Sequence, residues 1–136
     1  MAQRMKKAER IVAVQAQMHR KAEWELARIS RERAALEAKR EQMLETLTHD
    51  LFGPLLVEVV AKNLNRLADD GARLASEEES QTLRVREQAL ASKRAERMAK
   101  NVAAVERHAE EKAAFQELVE SATRPKGRAN GDASLA

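Results

Sequence analysis

Leu51-Phe52-Gly53-Pro54-Leu55-Leu56 interrupts a chain that otherwise has almost nothing to stop a helix. Glycine can end a helix, and proline suits the first turn of the next one. Met1 to Phe52 holds neither residue, and Ala72 to Arg124 holds neither. Gly71 stands alone between them, while Pro125, Gly127 and Gly131 crowd the C-terminal end. Two breaker-free runs of about fifty residues far exceed the ordinary globular helix, so each reads as a rod in need of a partner. Nearly equal arms around one break predict an all-α fold: a long antiparallel two-helix coiled-coil hairpin with a short helix or break at the bend. Each arm would span roughly 75 Å. A parallel dimer of bent rods is the alternative.

Composition agrees with a rod. Ala, Glu, Lys, Leu and Arg supply 83 of the 136 residues, with one Trp, two Phe and no Tyr. A compact core of this length would draw on more aromatics for buried area. The absence of cysteine excludes a disulfide framework and thiolate metal sites, and it suits a reducing cytoplasm. The basic start (Arg4, Lys6, Lys7, Arg10) leads into only four apolar residues, Ile11 to Val14. That is too short for a secretory signal or a spanning helix.

The apolar pattern refines the hairpin. In the first arm Ala8, Ala22, Ile29, Leu36 and Met43 recur at multiples of seven. Their companions start as Ile11 and Met18 and then drift to Leu26 and Leu47, as a stripe of period between 3.5 and 3.6 would. In the second arm Ala91, Ala95, Met98, Val102, Val105 and Ala109 form a seam of small and medium residues, with Glu96 and Lys100 as an outer ion pair. Val60, Leu64, Leu67, Gly71 and Leu74 form another seam, out of phase with it by three residues. Between the two lie Asp69-Asp70-Gly71 and the capping-box match Ser76-Glu77-Glu78-Glu79. This favours a separate short helix from Pro54 to about Ala68; one continuous helix with a stutter near residue 80 is the other reading. The expected organisation is a hairpin over 1–122, with a first arm at about 4–52, a bend at about 53–75 and a second arm at about 76–122. Residues 123–136, rich in turn formers, read as a disordered tail.

Charge is polarised along this hairpin. Residues 1–40 carry 11 basic and 5 acidic groups, 41–79 carry 3 and 9, and 80–112 carry 8 and 5. Folding back therefore gives a positive shaft and a negative tip, a field that steers partners. The basic clusters, taken as partner-binding candidates, are Arg31, Arg33, Lys39, Arg40, Arg84, Arg86, Lys93, Arg94 and Arg97. Interleaved glutamates make a solvated flank their plainest reading, and docking of an acidic protein the functional one. No aromatic stacking platform accompanies them, which argues against nucleic acid. Phe52, Leu55, Leu56, Val59 and Val60 are candidate tip-docking residues, because a thin tip has little body in which to bury them. Trp24 is expected to pack at the rim of the first seam.

Catalytic chemistry finds no foothold in the sequence. His19, His49 and His108 lack His or Cys partners at helical spacing, and the isolated glycines make no phosphate loop. His49-Asp50 has no nearby nucleophile. The expectation is a non-enzymatic protein with no catalytic, metal or cofactor site.

Lys93-Arg-Ala-Glu-Arg-Met-Ala99, Met5-Lys-Lys-Ala-Glu-Arg-Ile-Val-Ala-Val-Gln15, Ala22-Glu-Trp-Glu-Leu-Ala27 and the acidic, alanine-rich stretch Glu106 to Glu120 together resemble FliJ-type proteins of the bacterial flagellar type III export apparatus. The likeness covers roughly residues 3 to 122; the apolar Phe52 to Val60 bend departs from that family's more charged middle. The resemblance implies a cytoplasmic stalk, with a peripheral position at the inner membrane face as a further option. It also implies a monomeric hairpin that inserts into the export ATPase ring, promotes its assembly, and contacts the export gate and export chaperones. An injectisome-type secretion stalk and a self-associating structural coiled coil are the alternatives.

Overall fold

The structure, a computed structural model, describes residues 2–48 and 54–124. Helix α1 runs from Ala2 to Thr48 and helix α2 from Pro54 to Thr123, 47 and 70 residues long. Pro54 opens α2, where its missing N–H costs nothing because the first helical N–H groups have no intrahelical acceptor. The Arg124 N–H reaches the Glu120 carbonyl at 2.9 Å and closes the last turn of α2. His49, Asp50, Leu51, Phe52 and Gly53 lie outside the described residues, as does the tail from 125 onward.

Three cross-helix hydrogen bonds fix direction. Gln88 donates to Gln15, Gln81 donates to the Ala22 carbonyl at 3.0 Å, and Arg33 donates to Glu78 at 2.9 Å. Rising numbers on α1 meet falling numbers on α2, so the pair is antiparallel and the molecule is a two-helix coiled-coil hairpin.

The inward-facing residues correct the first seam. On α1 they are Met5, Val12, His19, Leu26 and Leu47 in one heptad position, and Ala8, Gln15, Ala22, Ile29, Leu36 and Met43 in the other. Both series advance by sevens without drift, and such a repeat imposes a left-handed supercoil. Ile11 and Met18, expected as companions, are exposed instead. The true companions include a histidine and fall opposite a glutamine row, which hid them from an apolar count.

On α2 the two inward series are Val60, Leu67, Leu74, Gln81, Gln88, Ala95, Val102 and Ala109, and Leu64, Gly71, Glu78, Val85, Ser92, Ala99 and Glu106. They too advance by sevens from one end to the other. The expected phase slip is therefore absent: Val60 leads to Ala95 after five whole heptads, whereas Ala91, Met98 and Val105 lie outside the seam. With no slip there is no separate helix at 54–68, and of the bend expected at about 53–75 the described residues, from Pro54 on, are continuous helix. Ser76 to Glu79 resembles a capping box only because Glu-rich helices often reproduce that spacing. An N-cap residue is itself non-helical, whereas Ser76 lies within α2 and Gly71 has no positive φ.

Few side chains are buried, as expected of two strands: Ile29, Val60, Leu74 and Ala95, with Gln81 the buried polar one among them. Gln81 and Gln88 each donate an amide N–H across the seam and so hold the register, while the His19 Nδ1 in the same seam is buried without a partner. On the surface, Arg28 bridges Glu25 at 3.0 Å and Glu32 at 2.7 Å. Those carboxylates, Glu25 foremost, push the Arg28 guanidinium above its ordinary value. The Glu96–Lys100 pair does not form; both groups are solvated, and such exposed pairs gain little.

Candidate interaction surface

The basic candidates all reach solvent, yet they do not converge. Arg33 and Arg40 stand at seam heptad positions with their heads turned outward, Arg33 onto Glu78 and Arg40 toward Glu37 at 3.8 Å. Arg31 lies on the outer face of α1, and Lys39 borders a shallow hollow shared with Asp70. Arg84, Arg86, Lys93, Arg94 and Arg97 spiral around α2 and line no single concavity. At the closed end Val60 is buried and Leu56 half-buried, while Val59 remains exposed. Phe52 and the Leu55 side chain fall outside what the structure describes. Trp24 is 81% exposed and occupies the outermost heptad position, so it does not pack at the rim.

A different surface stands out at the open end. Arg4 and Val105 line one hollow between the helices, and Glu25 and Arg84 line another further down the same flank. Stepping inward by sevens from these four residues gives Ile11 and Met18 on α1, and Ala91 and Met98 on α2. All of them therefore share that flank, with Val14 on its border. Ile11 is 41% exposed, Met98 61% and Val105 62%. Apolar residues at a third heptad position beside the seam are the pattern of a helix that packs against two neighbours, not one. The flank thus presents an exposed apolar strip in the groove between the two helices. Sequence periodicity did see Met98 and Val105, but placed them in the seam.

Beyond this groove α2 outruns α1. Residues from Glu110 to Arg124 are exposed all round, and Phe115, Leu118, Val119 and Ala122 form an apolar stripe along them. At the junction, one Glu106 carboxylate oxygen is shielded from solvent without a hydrogen-bond partner.

Among the described residues no cluster of His, Cys, Asp or Glu has the makings of a metal site. No helix there is long and apolar enough to cross a membrane. The chain matches no protein-family model, no curated protein and no solved structure.

Proposed function

We propose that this chain is a non-enzymatic stalk that works by being gripped by other proteins, and that it serves type III protein export in the FliJ manner. In this reading it acts in the cytoplasm, at the inner membrane face when engaged. It enters the ring of the export ATPase, promotes ring assembly, and couples it to the export gate and chaperones. The observation that carries the reading is the shape itself: a slender antiparallel rod in which one helix runs beyond the other. A ring pore can hold such a rod, and its positive flank suits an acidic lining. The sequence likeness at Met5–Gln15, Ala22–Ala27 and Lys93–Ala99 points to the same class.

The test is co-purification with the flagellar export ATPase of the same cell, followed by assay of its ATP turnover. Binding with stimulated turnover is expected. Absence of both removes the export reading, and binding only to the ATPase of a virulence secretion system reassigns the stalk to that machine.

A further inference from the structure

We propose that the groove at the open end receives the α2 extension, residues 106–123, of a second copy of this chain, giving a two-fold symmetric dimer. This does not depend on the export reading.

Spacing is the first argument. The α1 wall of the groove carries Ile11, Val14 and Met18, at steps of three and four. The extension carries Phe115, Leu118 and Ala122, at the same steps of three and four. Laid parallel to α1 of another copy, the three apolar residues of the extension meet the three of the wall in a single register. On the other wall, the Gln15–Gln88 contact puts Ala91 of that copy near the level of Phe115. Phe115 and Leu118 are 67% and 68% exposed, so both faces are free.

Charge is the second argument. The two helical segments that form the groove, residues 2–25 and 84–105, carry twelve basic and five acidic side chains. The extension carries five acidic and two basic ones. An acidic amphipathic helix on a basic apolar groove is attractive, whereas groove on groove or extension on extension would repel.

Length and symmetry close the arrangement. The extension spans roughly 27 Å, enough in this register to cover the turns from Ala2 to His19. An extension projects away from its own groove and cannot fold back onto it, because α2 is unbroken. When two hairpins meet open end to open end, one two-fold axis seats both extensions at once, and no open-ended polymer follows. Each extension then becomes the third helix of a three-helix segment. That supplies the tertiary packing that a helix of this length needs in water.

The full-length chain tests this directly. Light scattering over a concentration series should show the mass rising from 15.3 kDa toward twice that value. Phe115→Glu, at an exposed site with no bearing on the hairpin, should weaken association about a hundredfold because the change counts twice across the axis. The chain has no cysteine, so Ile11→Cys combined with Phe115→Cys makes a clean probe. Under mild oxidation it should form a disulfide-linked dimer, while Trp24→Cys with Phe115→Cys should not. A mass of one chain at every concentration overturns the proposal, including when the groove instead captures an acidic amphipathic helix of another protein. So does a dimer that survives Phe115→Glu, or equal linking in the Trp24 control.

Discussion

Gly71 occupies an inward heptad position without contributing a side chain to it. Its backbone is helical, with φ negative, so no turn or left-handed conformation requires glycine there. A Cβ built on it meets nothing within 4 Å, which leaves a cleft between Leu36, Leu64 and Leu67 partly unfilled. Alanine at this point loses less conformational freedom on folding, and its methyl enters open space without a clash. Gly71→Ala is therefore expected to stabilise the hairpin by about 0.5–1 kcal/mol, read as a higher urea midpoint with an unchanged slope. A lower midpoint would mean that the two helices approach more closely at this level than the structure has them. The same residue explains a misreading: beside Asp69 and Asp70, an isolated glycine looks like a turn, yet an open seam tolerates it within a helix.

At the scale of the element, the continuity of α2 decides the architecture. The two long rods were legible from breaker spacing and heptads, and nearly equal arms around one break pointed to antiparallel pairing, with a parallel dimer as the alternative. The seam through the middle of α2 was not, for a physical reason. Glu78, Gln81, Gln88 and Ser92 occupy inward positions, so between Leu74 and Ala95 an apolar count meets only Val85 in the seam. It then resumes on Ala91, Met98 and Val105, which belong to a neighbouring flank. What keeps the polar stretch inside is cross-helix hydrogen bonding from Gln81 and Gln88, which propensity and periodicity cannot report. Inserting one alanine after Ser80 separates the two architectures. In an unbroken α2 it rotates everything downstream by about 100°, taking Gln81, Val85 and Ala95 out of the seam. The expected loss is on the order of 3 kcal/mol, measured by thermal or urea unfolding of the circular dichroism signal. A break near residue 76 would absorb the insertion as a loop does, with a change within about 0.5 kcal/mol.

For the whole molecule, the inequality of the helices matters more than their pairing. The sequence reading balanced two arms of about fifty residues, and the structure gives 47 against 70. The difference arises because the stretch assigned to a bend joins α2, which slides the pairing toward the closed end and frees the other. Overall length then becomes a measurement of assembly. A single hairpin is as long as α2, about 105 Å at 1.5 Å per residue. Two hairpins joined through their extensions overlap only over the freed turns, so the particle lengthens to about 155 Å. Its cross-section would gain a third helix near the centre and stay two helices thick toward both tips. A side-by-side dimer would keep the length near 105 Å and thicken throughout. Small-angle scattering on the full chain, at concentrations where light scattering finds two copies, distinguishes these shapes. The expected maximum dimension is the longer one, falling to the shorter for Phe115→Glu. A dimer that remains at the length of α2 would place the contact along the shaft and leave the groove without its occupant.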